Sequence, residues 1–90
     1  MCTYQTERIE IDGSGKGANG WFGLSSAQVY VDHPVHAQYA HTLNIDFTDI
    51  AAGPAARVAV ELTEEAARAL AAAINAALAS APAGLASANQ

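Results

Sequence analysis

Between Ala27 and Phe47 the chain reads AQVYVDHPVHAQYAHTLNIDF, and this stretch limits the fold more than any other. Apolar and polar side chains alternate on both sides of a central corner. Ala27, Val29 and Val31 share one face of a pleated strand, and Gln28, Tyr30 and Asp32 share the other. Beyond the corner, His41, Leu43, Ile45 and Phe47 take one face and Thr42, Asn44 and Asp46 the opposite one. A period of two sustained this long belongs to half-buried strands, not to a helix. Pro34 has no N–H to give to a ladder, so residues 33–39 are read as the turn between strands 26–32 and 40–47. All three histidines of the chain, His33, His36 and His41, fall at this corner.

The flanking segments supply the rest of a sheet. Residues 3–11, TYQTERIEI, alternate well enough for a first strand, with Ile9 and Ile11 on one face. Residues 12–20, DGSGKGANG, read as a flexible glycine-rich connection. A phosphate cradle around Lys16 does not fit, because a P-loop needs GxxxxGK followed by Ser or Thr at the opening of a helix. Here Lys16 is followed by Gly17 and then by Trp21-Phe22. Trp21, Phe22 and Leu24 are expected to cover one end of the core. Gly53-Pro54 marks a turn, and residues 57–62, RVAVEL, form a fourth strand with Val58, Val60 and Leu62 inward.

Thr63 then caps a helix predicted over residues 64–80, whose first turn carries Glu64 and Glu65 at the positive end of the dipole. Leu70, Ile74 and Leu78 recur every four residues along one stripe, with alanines beside them. Alanine on several faces would let a second helix or a sheet approach closely; high helix propensity also accounts for it. Pro82 and Gly84 stop the helix, and residues 82–90 read as a disordered tail. The expected fold is α+β: a four-stranded antiparallel sheet with one C-terminal helix packed on one face, in a single domain over residues 1–81. The opposite face, lined by Gln28, Tyr30, Thr42, Asn44 and Asp46, is left uncovered. It is a solvated surface, a dimer contact or a ligand floor.

Ninety residues, 51% of them apolar and many of those alanine, furnish one thin core. A lone monomer would be marginal, so a homo-oligomer is expected. The net charge is −5, and the four basic residues, Arg8, Lys16, Arg57 and Arg68, are scattered. Nucleic acid and anionic membrane surfaces are therefore poor partners. The single cysteine, Cys2, forbids an internal disulfide. No apolar run long enough to span a bilayer and no secretory leader is present, so a cytoplasmic location is expected.

The histidines carry most of the available chemistry. Neutral imidazole is a common ligand for zinc, copper, nickel and iron, and a site needs several donors converging within roughly 2.0–2.3 Å of one point. In a straight strand His33 and His36 would point to opposite faces, but in a turn broken by Pro34 they can converge. His41 stands close enough to join them. Cys2 or Asp32 is the candidate fourth donor, with Asp46 a further one. No standard zinc spacing is present. The competing readings are three ordinary hairpin histidines, or a histidine acting as a general base without metal.

Other catalytic arrangements are weak. Ser25 and Ser26 lack a GxSxG context, and Glu7 and Glu10 lie on opposite faces of one strand. Tyr30 and Tyr39 are suited to hydrogen-bonding a ligand, though tyrosine in a strand more often packs. No catalytic residue is assigned. An enzyme site, if this chain has one, belongs at the hairpin and is completed across a subunit interface.

The opening MCTYQTE, the loop GSGKG followed by GWF, the DHPVHA corner, HTLNIDF, and RVAVELT leading into an alanine-rich helix together resemble a family of short bacterial proteins. That family is mainly actinobacterial, single-domain and of unknown function, and the resemblance covers residues 1 to about 85. It implies a stand-alone domain and no activity, so no site residue is carried over from it. Two functional expectations follow from the residues themselves. One is a small metal-binding protein using His33, His36 and His41 with Cys2 or Asp32, holding a divalent transition metal. The other is a non-enzymatic accessory module that dimerises through the polar sheet face or an edge strand and serves a protein partner.

Overall fold

The computed structural model describes residues 5–32, 41–53, 55–82 and 84. Four strands, β1 (Glu7–Gly17), β2 (Gly20–Asp32), β3 (Thr42–Thr48) and β4 (Arg57–Leu62), precede one helix, α1 (Glu64–Ser80). The strands form one antiparallel sheet in the order β1-β2-β3-β4, each paired with its chain neighbour. The α+β expectation holds, and so do the bounds of β4 and α1. Thr63 caps the helix by accepting a hydrogen bond from the Ala66 N–H at 3.1 Å, which satisfies one of the orphan donors of the first turn.

The central register follows the alternation of the sequence. Val29 lies opposite Ile45 and Val31 opposite Leu43, while Ile45 faces Val60 and Leu43 faces Leu62. These residues make one apolar face. Gln28 opposite Asp46, Tyr30 opposite Asn44 and Asp32 opposite Thr42 make the polar one. His41 stands one residue ahead of β3 and not within it.

The glycine-rich segment departs from expectation. Residues 12–20 do not form a loose connection. β1 runs on to Gly17, and β2 begins at Gly20 instead of at residue 26. The ladder continues from Gly13 opposite Leu24 to Gly17 opposite Gly20, with Ala18 and Asn19 at the turn. Backbone hydrogen bonds need no side chains, so a glycine run can still pair when its partner strand is apolar. Gly20 takes the positive φ, +108°, that the tight turn requires. Asn19-Gly20 was the available hairpin signal.

Between Glu10 and Gly13 the register slips by one, so Ile11 and Asp12 oppose the single residue Ser25. Such a bulge bends and twists the strand that carries it. A Cβ built at Gly15 would lie 2.9 Å from Leu24 Cδ1 and 3.3 Å from Val58 Cγ2. Gly15 on β1 thus comes close to β4, although two strands lie between them in the sheet order, so the far hairpin curls over. Phe22 and Leu24 are half-buried there, but Trp21 is 69% exposed at the hairpin end and covers nothing.

β3 and β4 are joined through a single 3₁₀ turn, Ile50–Ala52, which Asp49 caps by accepting from the Ala51 N–H at 3.2 Å. Ser25 Oγ, opposite the bulge, accepts from the Ile50 N–H at 3.4 Å and ties this link to β2. Gly53 follows at φ +89°.

α1 lies over the apolar face and meets β3 and β4. It does not close down on the sheet. Leu70, Ile74 and Leu78 remain 42%, 52% and 57% exposed. Ala27, 2% exposed, is the single buried hydrophobic residue among the described residues, whereas Ser26, Thr42, Asn44 and Asp46 are all buried. The radius of gyration is 14.7 Å, against about 12 Å for a close-packed chain of this length.

Candidate functional site

Two regions of the described structure carry candidate function, one on each side of the sheet. The first is a cleft of about 610 Å³ between the sheet and α1. Val29, Val31, Leu43, Ile45 and Leu62 form its floor. Ala67, Leu70, Ala71 and Ile74 form the wall above. The alternation of β2 to β4 and the four-residue spacing of α1 direct these side chains toward each other. The two layers share a cleft without filling it. His41, Thr42, Glu64 and Arg68 complete the lining of the cleft, and His41, Glu64 and Arg68 also line a neighbouring hollow with Thr63 and Glu65.

The second region is the polar face. Asp46 accepts from the Tyr30 hydroxyl at 2.9 Å through Oδ2 and from Arg57 Nη2 at 2.7 Å through Oδ1. The Asp46 side chain is 13% exposed and that of Arg57 51%. Beside them Thr42 Oγ1 donates to Asn44 Oδ1 at 2.6 Å. Burial, then the hydrogen bond and charge of Asp46, raise the Tyr30 pKa above its ordinary value. The hydrogen bond and charge of Asp46 likewise raise that of Arg57. Tyr30, Asp46 and Arg57 thus satisfy one another, as do Thr42 and Asn44, while Thr48 Oγ1, two residues along β3 from Asp46, is buried without a hydrogen-bond partner among the described residues. Arg57 was not singled out in the sequence. The signal is its position opposite Thr48, which puts it diagonal to Asp46 across the β3–β4 ladder.

Of the metal candidates, Cys2, His33 and His36 lie outside the described residues. Asp32 closes β2 opposite Thr42, and His41 immediately precedes Thr42, so these two flank the same corner. Asp46 is not available to that corner. It is tied to Tyr30 and Arg57, and it lies four residues along β3 from Thr42, about 13 Å away. Among the described residues no group of three or more His, Cys, Asp or Glu side chains is placed to hold a metal ion. The hairpin carboxylates Glu7 and Glu10 fall opposite Val29 and Ser26, on different faces, as the strand period requires.

Among the described residues no helix is long and apolar enough to cross a membrane. The model of a family of unknown function, DUF6295, matches residues 1–87. No curated protein and no solved structure matches the chain.

Proposed function

The chain belongs to this family of unknown function, DUF6295, and we propose that it is a non-enzymatic interaction module, an accessory protein whose working surface is the cleft between α1 and the sheet. One observation carries the reading. The apolar stripe of α1 faces the apolar side of the sheet, yet Leu70, Ile74 and Leu78 each keep roughly half their surface in water. Such a side chain contributes about 1.5–3 kcal/mol when fully buried, and much of that is unrealised in the single chain. Contiguous apolar surface framed by polar residues is the mark of a docking surface. The polar face is the weaker candidate, since Tyr30, Asp46 and Arg57, and Thr42 and Asn44, already bond one another.

The test is affinity capture from cells that express the protein, with tagged wild type and Ile74→Glu as baits. The expected result is a stoichiometric protein, either an untagged copy or another chain, held by the wild type and lost with the variant. Identical capture by the two baits would contradict the reading.

A second reading is favoured by the register at the β2–β3 corner. Asp32 and His41 stand on either side of the segment that holds His33 and His36. With Cys2 or Asp32 as the fourth donor, these imidazoles suit zinc, copper, nickel or iron. A ligand set with one position left to water would suit hydrolytic chemistry. Metal analysis of untagged protein tests it: stoichiometric metal lost on His36→Ala supports the site, and metal content unchanged by that substitution removes it.

A further inference from the structure

We infer that the occupant of the cleft is a second copy of this chain, in a two-fold dimer whose α1 helices run antiparallel and meet at Ile74. The inference rests on the docking reading above and names the partner.

The first argument is area. The chain exposes 6856 Å², whereas a close-packed monomer of 9.2 kDa exposes about 4,900 Å². The excess is about 1,900 Å² per chain. This excess is larger than the roughly 800 Å² per partner of a standard interface, and Leu70, Ile74 and Leu78, at 42%, 52% and 57% exposed, contribute to it beside the cleft. A two-fold contact uses the same patch on both copies, so one arrangement removes the deficit from each at once. With Ala27 as the one buried hydrophobic among the described residues, the missing layer is part of the core. A core layer must be present whenever the chain folds, and another copy of the chain meets that condition without a second gene product.

The second argument is charge. Two chains of net charge −5 repel unless they meet where neither carries charge. Residues 69–80, ALAAAINAALAS, contain no ionisable side chain on any face of the helix. Glu64, Glu65 and Arg68 are confined to its N-terminal end. A helix this apolar around its circumference is built for burial. Its alanines permit close approach of another helix, and antiparallel pairing sets the opposite dipole ends beside each other. The stripe runs from Leu70 to Leu78, so Ile74 is its midpoint and the position that faces its own counterpart across a two-fold axis. An anionic lipid surface does not fit the same helix, because a chain with four scattered cations offers it no attraction.

The experiment uses untagged full-length protein. Light scattering at tens of micromolar is expected to give twice the 9.2 kDa chain mass. In a Cys2→Ser background, mild oxidation of Ile74→Cys is expected to trap a covalent dimer. Ala72→Cys, about half a turn away on the opposite side of the helix, should crosslink more than tenfold less. Neither variant adds charge, Ile74→Cys removes bulk and Ala72→Cys adds a single sulfur at an exposed position, so neither depends on disrupting the fold. A dimer that crosslinks equally at both positions overturns the arrangement. A mass of one chain overturns the inference itself. In that case Ile74-dependent capture of a different protein leaves the docking reading standing, and its absence removes both.

Discussion

On one side of the sheet Tyr30, Asp46 and Arg57 are bonded to each other, and Thr42, Asn44 and Asp46 are buried. On the other side Val29, Val31, Leu43 and Ile45 look into an open cleft. The usual assignment of polar residues to water and apolar residues to the interior is inverted between these two faces. The reason is geometric. A polar group is satisfied by one partner at hydrogen-bond distance, and adjacent strands less than 5 Å apart supply it from within the sheet. An apolar side chain needs area on several sides, which takes a second layer. One 17-residue helix meeting the sheet at β3 and β4 does not provide enough of it. The polar face is therefore largely satisfied within the chain, with Thr48 Oγ1 the one buried side-chain atom left without a partner among the described residues, and the apolar face is the one we propose is completed by association.

Substitutions separate the two faces. Ile74→Glu should have the largest effect, because it puts a charge into the contact between chains. The expected loss is about 3–5 kcal/mol together with loss of the dimer, read from urea midpoints and light scattering. At a merely exposed position the same change would stay within about 0.5 kcal/mol, so a small effect would break the comparison on its apolar side. Asp46→Ala should cost about 2–3 kcal/mol by removing the shared acceptor of Tyr30 and Arg57. Its dimer should stay intact, since the polar face takes no part in the contact.

Tyr30→Phe should cost about 1 kcal/mol near neutral pH. It also has a pH signature. Burial first, and then Asp46, raise the Tyr30 pKa, so the folded chain holds the phenolic proton more tightly than the unfolded one. That stabilisation is complete below the ordinary value of about 10 and declines as pH rises through the folded value. Urea midpoints between about pH 8 and 11 should fall more steeply in the wild type than in Tyr30→Phe, and parallel curves would remove Tyr30 from the network. Thr63→Ala should cost the least, about 1 kcal/mol, by removing the cap on Ala66. Thermal unfolding reads it, and dimer mass should be unchanged.

The sequence was informative where one residue type serves one local purpose. Thr63 before two glutamates marked the start of α1, Pro82 its end, and the alternation of RVAVEL the bounds of β4. Residues 13–17 were opaque because glycine alternates there with Ser14 and Lys16, which leaves no apolar side chain to mark an inward face. Tyr30 and Asp46 were placed on the polar face from the period, but Arg57 depends on cross-strand register, which a linear pattern does not contain. The stripe Leu70, Ile74, Leu78 announced one apolar face of α1, and the structure turns it toward the sheet but leaves it 42–57% exposed. It did not say whether anything covers that face, because helical period encodes a direction and not a partner. Of the site expected at His33, His36 and His41 with Cys2 or Asp32, only Asp32 and His41 fall among the described residues.

The most direct measurement is the urea unfolding midpoint of the wild-type chain as a function of its own concentration. If the apolar face is completed by a second copy, folding and association are one equilibrium, and the midpoint rises steadily as protein concentration increases across the micromolar range. A midpoint independent of concentration, in a protein that scatters light as one chain, would mean that the single chain is stable with its cleft open and that association completes nothing.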